Sequence, residues 1–188
     1  MSIKTIFGLT AVGALCLSCQ SNVYQINGFA RDYNEGDTIC MRLEADGGRP
    51  VAMTRIAEGK FSFRGEIDDT AFCMIYPKNS PKSMVSLFLE PSQIAVELSL
   101  SPERNRVSGT VLNNVWQQLN DSIRLMGQEV VRRSQQPVAD STTQWQQVKA
   151  IDSLHRRMSD CILNTARRNR DNPIGHYIYD NYKAPKFD

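Results

Sequence analysis

Apolar and polar residues alternate along the first half of the chain in short runs that turn residues separate. Ile39, Met41 and Leu43 occupy every second position of one run, and Phe61 and Phe63 do so in another. A period of two predicts strands with one buried and one wet face. Eight such runs predict eight strands, at 24–31, 38–44, 50–56, 60–66, 71–77, 84–89, 93–99 and 104–108.

The segments between these runs contain residues that tolerate positive φ, as in Asn34-Glu35-Gly36, Asp46-Gly47-Gly48 and Glu58-Gly59. Short strands at regular spacing with turns between them predict an antiparallel β-sandwich. The alternation places Cys40 on the solvent side of its strand. The run 84–89 is apolar on both faces, which predicts either a central strand or one that lies beneath later helices.

Beyond Gly109 the period changes to about 3.6, which predicts two amphipathic helices. The first ends at Ser134-Gln135-Gln136-Pro137. The second begins at Ser141-Thr142-Thr143-Gln144, which has the form of a capping box, and stops before Asn172-Pro173. The short linker predicts antiparallel neighbours. The predicted buried positions are Val115, Trp116, Leu119, Ile123, Met126 and Val130 in the first helix, and Trp145, Val148, Ile151, Leu154, Met158, Cys161, Ile162 and Thr165 in the second.

The fold class that follows is mainly β plus α, an antiparallel β-sandwich followed by an antiparallel helical hairpin. We divide the chain into a lipoprotein signal peptide (1–18), an anchor linker (19–22), a sandwich domain (23–110) and a hairpin with its C-terminal tail (111–188). The tail from Ile174 onward has the pattern of one or two further helical turns packed against the hairpin.

The N-terminal segment has the form of an export signal. Lys4 precedes the apolar stretch 6–17, which is too short to span a bilayer as a stable helix. Ser18 before Cys19 fits a bacterial lipobox, although Cys16 stands where leucine is usual. We therefore expect lipidation at Cys19, with a plain signal peptide or an uncleaved anchor as alternatives. The C-x-x-C spacing of Cys16 and Cys19 then carries no redox chemistry, because cleavage removes one thiol and acylation consumes the other.

Charge adds little to this picture. The chain has 22 Lys and Arg against 20 Asp and Glu, a net charge of +2, and this balance disfavours nucleic acid as a partner. The cluster Arg167, Arg168 and Arg170 is typical of the C-terminal end of a helix, where the helix dipole favours cations.

Three cysteines follow Cys19, namely Cys40, Cys73 and Cys161. An odd number in an oxidising compartment allows at most one intramolecular bridge. Buried single thiols are the favoured interpretation, and a bridge between Cys40 and Cys73 is the alternative. His155 and His176 have no spacing typical of metal ligands, so we expect neither a metal nor a cofactor.

The chain has no G-x-S-x-G, P-loop or H-E-x-x-H motif, so no catalytic residue is assigned and we do not expect an enzyme. Aromatic side chains with a polar atom are enriched at interfaces, although they also fill small cores. The candidates for contact with a ligand or partner are Trp116, Trp145, Tyr177, Tyr179 and Tyr182.

Four segments in this order resemble an uncharacterised β-rich domain: 26–30 (INGFA), 58–65 (EGKFSFRG), 87–96 (LFLEPSQIAV) and 107–114 (VSGTVLNN). In envelope lipoproteins of the Bacteroides group, this domain commonly stands N-terminal to a thioredoxin-like thiol:disulfide oxidoreductase domain. The resemblance covers about residues 23–120, and the hairpin with Asn172-Pro173-Ile174-Gly175 looks like the usual connector.

The resemblance implies an envelope location. The sequence lacks the thioredoxin part, since no C-x-x-C pair follows Cys19, so redox activity does not carry over. No acidic run follows Cys19 either, which favours the periplasmic face of the outer membrane. We expect a non-catalytic interaction module that docks a protein, such as a thioredoxin-like enzyme, through the sandwich edge or the tyrosine-rich tail. The alternative is a small-ligand or glycan-binding lipoprotein in which Trp116 or Trp145 stacks on the ligand.

Overall fold

The computed structural model describes residues 22–182. The signal segment 1–18 and Cys19, on which the prediction of export depends, lie outside these residues. All eight predicted strands are present close to their predicted ranges. They are β1 (Val23–Phe29), β2 (Thr38–Leu43), β3 (Ala52–Arg55), β4 (Lys60–Glu66), β5 (Ala71–Pro77), β6 (Val85–Leu89), β7 (Gln93–Glu97) and β8 (Arg106–Ser108).

The strands form two four-stranded sheets. Sheet A has the order β4-β1-β7-β8 and sheet B the order β3-β2-β5-β6. Every pair of neighbouring strands is antiparallel except β1 and β7, which are parallel. The mainly β plus α class is confirmed, but the prediction of a fully antiparallel sandwich is wrong for sheet A. Five strands separate β1 from β7 in the chain, so this long connection, unlike a tight hairpin, does not impose an antiparallel pairing.

The core lies between the facing sides of the two sheets. On sheet A, Gly28 of β1 pairs with Phe61 of β4. A Cβ atom on Gly28 would lie 2.0 Å from Cζ of the Phe61 ring, so only glycine leaves room for that ring above the backbone. The fully buried side chains of this core include Ile26, Ile94 and Val96 of sheet A and Ile39, Met41, Cys73, Ile75 and Leu87 of sheet B.

The burial of Cys40 differs from the prediction that this residue faces solvent. It lies between Ile39 and Met41 on β2 and therefore points to the outer face of sheet B, as the alternation predicts. It is nevertheless only 2% exposed. Its directly opposite neighbours are Met53 of β3 and Tyr76 of β5, whose longer side chains flank it on that face. The prediction that Cys40 faces solvent is wrong because the alternation identifies the face of a sheet but not what covers it.

The apolar run 84–89 forms β6, which is the last strand of sheet B rather than a central one. The alternative, a strand beneath the helices, is confirmed. Asn113 covers the open edge of β6: its Oδ1 accepts a hydrogen bond from the Phe88 N–H at 2.8 Å, and its Nδ2 donates to the Phe88 carbonyl at 2.9 Å. One buried amide thus replaces the strand that the edge lacks.

Within residues 22–182, three helices follow the sheets, α1 (Val111–Ser134), α2 (Ser141–Arg168) and α3 (Pro173–Asn181). Thr110 caps α1 by accepting the Asn113 N–H. Asp140 caps α2, since its Oδ1 accepts the Thr143 N–H at 2.8 Å. The predicted capping box, which makes Ser141 the cap, is wrong by one position. Aspartate is as good an N-cap as serine and precedes it here.

The two long helices pack against each other as the predicted antiparallel hairpin, but they extend beyond the sandwich. The last buried residue of α1 is Leu119 and the first of α2 is Leu154. Between 120 and 153, all of which the structure describes, no residue is fully buried. The predicted burial of Trp145 and Val148 is therefore wrong. Their apolar stripe continues past the point where the fold has a core to cover it.

The tail forms α3, which packs against the hairpin as predicted, with Ile174 and Ile178 fully buried. Asn172 caps this helix. Gly175 allows the close approach of α3 to the end of α2: a Cβ atom on it would lie 2.1 Å from the carbonyl oxygen of Asn169.

Candidate functional site

The outer face of sheet B contains an aromatic cluster that joins the sheet to the helices. Phe72 of β5 stacks on Tyr177 of α3 with ring centroids 3.9 Å apart. Trp116 of α1 meets Phe72 and Phe88 edge to face at 5.4 and 5.6 Å. Its Nε1 donates a hydrogen bond to Ser86 Oγ at 3.0 Å. Trp116 is 3% exposed, so its ring packs on protein and offers no stacking face to a ligand.

The three tyrosines of the tail occupy different environments. Burial raises the pKa of Tyr177 to about 12, and the nearby carboxylate of Glu44 adds to this rise. Tyr179 is partly buried against the core. Tyr182 is 46% exposed. Of the three candidate tyrosines, Tyr182 is thus the most accessible to a partner.

The outer surface of the hairpin exposes several large apolar side chains to solvent. Trp145 on α2 is 66% exposed, which is more than the 46% of Tyr182 at the end of α3. The exposed apolar residues of this distal hairpin surface are Leu125, Val131, Val138, Trp145 and Val148.

The three described cysteines are free thiols. Cys73 points into the core and Cys40 to the opposite face of sheet B, so the alternative of a bridge between them fails. Burial raises the pKa of Cys73 to about 12 and also raises that of Cys40, where the charge of Lys78 opposes it. Thiols with raised pKa are protonated near neutral pH and are poor nucleophiles. Cys161 lies partly buried along a groove between α1 and α2.

A polar groove lies where β8 meets α1. Asp121 Oδ1 forms an ion pair with the Arg124 guanidinium at 2.9 Å and lies 3.6 Å from the Arg106 guanidinium. Burial acts to raise the pKa of Asp121, but hydrogen bonds from Arg124 and Gln117 and the charge of Arg106 outweigh it and hold the pKa below its ordinary value. The charges of this groove are largely compensated by the protein itself.

A third groove lies beside the turn between β3 and β4. It is lined by Phe29, Thr54, Arg55, Lys60 and Ser62, among others. Neither of its two cations takes part in an ion pair within the described residues, unlike those beside Asp121. Sequence reasoning missed this groove. The two basic residues that flank the predicted turn at Glu58-Gly59 are the signal that could have indicated it.

Serine and aspartate come together at one end of the sandwich without forming a catalytic arrangement. Ser99 Oγ donates to Asp32 at 2.6 Å, and the Ser99 N–H donates to Asn105 Oδ1 at 2.8 Å. Both histidines of the chain lie elsewhere, on α2 and α3. These hydrogen bonds satisfy buried polar groups and connect three loops.

Residues 22–182 contain no cluster of three or more His, Cys, Asp or Glu side chains that could hold a metal ion. Within the same residues, none of the helices combines the length and the apolar character that crossing a membrane requires.

The comparison with known families gives one match. Residues 24–116 match the model of a family described as a domain of unknown function, DUF4369. The match begins within β1 and ends at Trp116 of α1. No curated protein and no solved structure matches the chain.

Proposed function

With residues 24–116 belonging to the DUF4369 family, we propose that the chain is a lipid-anchored envelope protein that acts as a non-catalytic interaction module. Its partner is a thioredoxin-like oxidoreductase. Lipidation at Cys19 holds it at the periplasmic face of the outer membrane.

The observation that carries this proposal is the distal hairpin surface. An α-helix rises 1.5 Å per residue, so α1 and α2, with 24 and 28 residues, are about 36 and 42 Å long. Their distal parts support no core, yet Trp145, Val148 and Leu125 are exposed there. Large apolar side chains on a rigid, projecting element are typical of surfaces that bind another protein.

The partner class follows from the resemblance. In the family that the sequence resembles, this β-rich domain commonly stands N-terminal to a thioredoxin-like oxidoreductase domain. An enzyme of that class as the partner would supply the redox chemistry. The raised pKa of Cys73 and Cys40 is consistent with a module that supplies none of its own.

The anchor is tested by mass spectrometry of protein isolated from membranes. We expect an N-terminal peptide that begins at Cys19 and carries acyl chains, and we expect Cys19→Ser to leave the membrane fraction. An intact, unacylated N-terminus on the isolated protein would contradict this part of the proposal.

The interaction is tested by co-purification from membranes solubilised in mild detergent. We expect a stoichiometric protein with a thioredoxin fold and a C-x-x-C pair, identified by mass spectrometry. The double variant Trp145→Ser, Val148→Ser should lose it. The matched control is Val111→Ser, because Val111 is also an exposed apolar residue of the hairpin but lies at the opposite end of α1. A wild-type protein that yields no stoichiometric partner under several mild conditions would contradict the proposal.

A further inference from the structure

The turn between β3 and β4 connects the two sheets, because β3 belongs to sheet B and β4 to sheet A. The two strands are joined by Glu58 and Gly59, both with positive φ, as a two-residue turn requires. Next to the turn they still pair, since the Ala57 N–H donates to the Lys60 carbonyl and the Lys60 N–H donates to the Ala57 carbonyl, both at 2.9 Å. Beyond this pair β3 continues in sheet B and β4 in sheet A, and each is the last strand of its sheet.

These two hydrogen bonds determine which backbone groups of β4 are free. Successive residues of an antiparallel strand direct their N–H and C=O groups to opposite sides. Lys60 directs its backbone N–H and C=O groups away from β1. Every second residue after it therefore does the same, namely Ser62, Arg64 and Glu66. None of these three has a backbone partner on that side among residues 22–182. β4 therefore presents three alternate residues with unpaired donors and acceptors.

The surroundings of this edge are basic. Lys60 and Arg64 share the outer face of β4, and Arg55 of β3 lies across the groove from Lys60. All three are exposed and none is ion-paired within the described residues. Phe29, partly exposed beside them, adds an apolar surface. Glu58 and Glu66 stand only at the two ends of this stretch.

We propose that the edge of β4 binds an extended, acidic segment of a second polypeptide, which adds to sheet A as a fifth strand. Backbone pairing with Ser62, Arg64 and Glu66 supplies the register, as in other cases of strand addition. Alternate side chains of the added strand share the outer face with Lys60 and Arg64, where carboxylates complement the unpaired cations.

This site is separate from the distal hairpin surface and does not depend on the proposed oxidoreductase partner. Edge strands are commonly protected from wrong pairing by lysine and other charges. The test therefore has to distinguish a binding edge from a protected one.

The probe is a ten-residue peptide that alternates Glu with Val, added to the detergent-solubilised full-length protein. Two control peptides accompany it: one with Lys in place of Glu, and one N-methylated at alternate residues, which cannot pair through that edge. Binding is measured by fluorescence anisotropy, and the pairing by hydrogen exchange at the amides of residues 62, 64 and 66.

We expect the acidic peptide alone to bind and to slow exchange at those amides. Lys60→Glu with Arg64→Glu should weaken it on the order of tenfold or more, because complementary charges become repulsive. Lys149→Glu with Arg156→Glu on α2 is the matched control and should leave binding unchanged. A peptide that fails to bind overturns the proposal. So does equal binding of the N-methylated peptide, which would show charge attraction without a strand. Aggregation of Lys60→Ala, Arg64→Ala without any binding by the wild type would assign these cations a protective role and also overturn it.

Discussion

Replacing Asn113 with alanine should strongly destabilise the fold, because one side chain closes the edge of β6. Asn113 is fully buried, and its amide satisfies both the N–H and the C=O of Phe88 at 2.8 and 2.9 Å. Leaving a buried polar group unpaired costs roughly 1–3 kcal/mol. Two such groups predict a loss on the order of 2–6 kcal/mol in the free energy of unfolding.

The assay is guanidinium unfolding followed by far-UV circular dichroism, with an unchanged denaturant slope as the condition for comparing midpoints. Asn114→Ala is the matched control, since Asn114 is an exposed neighbour in the same helical turn, and its effect should stay within about 0.5 kcal/mol. Hydrogen exchange at the Phe88 amide should accelerate in Asn113→Ala more than at the paired amides within β5.

Asn113→Asp separates the hydrogen bonds from side-chain volume. An ionised carboxylate can accept a hydrogen bond from the Phe88 N–H. It has no proton to donate to the Phe88 carbonyl, so that hydrogen bond is lost. Burial disfavours its charged form, so its folded-state pKa lies above its unfolded value. The folded variant then binds more protons than the unfolded chain, and its stability should recover as the pH falls from 7 toward 5. A loss below about 0.5 kcal/mol for the alanine variant, or an aspartate variant that does not respond to pH, would refute this reasoning.

Three further predictions concern the core and the helices. Burial raises the pKa of Cys73 from its ordinary value near 9 to about 12. Its contribution to the free energy of unfolding, up to about 4 kcal/mol at 1.36 kcal/mol per unit, is therefore complete below pH 9 and lost as the pH rises toward 12. Cys73→Val should remove that part of the loss of stability at alkaline pH. Gly175→Ala should lower the melting temperature by the equivalent of about 1–3 kcal/mol, since its Cβ atom would meet Asn169 O, and a wild-type melting temperature would contradict the close approach. Trp116→Phe should lower the free energy of unfolding by about 1–3 kcal/mol because it loses the hydrogen bond to Ser86. Trp145→Phe should change the free energy of unfolding by less than about 0.5 kcal/mol.

Local patterns predicted the elements well because they depend on local physics. The period of two at Phe61 and Phe63 reflects a half-buried strand, and the structure places β4 at the predicted residues. The change of period after Gly109 marks the start of α1 in the same way. Which strands become neighbours is a property of the whole chain, so the parallel pairing of β1 with β7 has no local signal.

Burial was harder to predict where it depends on what covers a surface. Trp145 lies on a helical stripe that continues past the core, and Cys40 lies on an outer face that its neighbours cover. Asn113 is a polar residue in the first turn of a helix, a position that usually favours solvent. Its role depends on the edge of β6, which is brought to it only by the tertiary fold.

The most direct test of the proposed interaction is site-specific photocrosslinking in cells. A photoreactive phenylalanine analogue at position 145 lies on the exposed surface of α2, and the same analogue at position 111, the exposed start of α1, is the control. We predict a crosslink at position 145, and not at 111, to one protein with a thioredoxin fold in the membrane fraction. Crosslinks that are absent or equal at both positions would contradict the account.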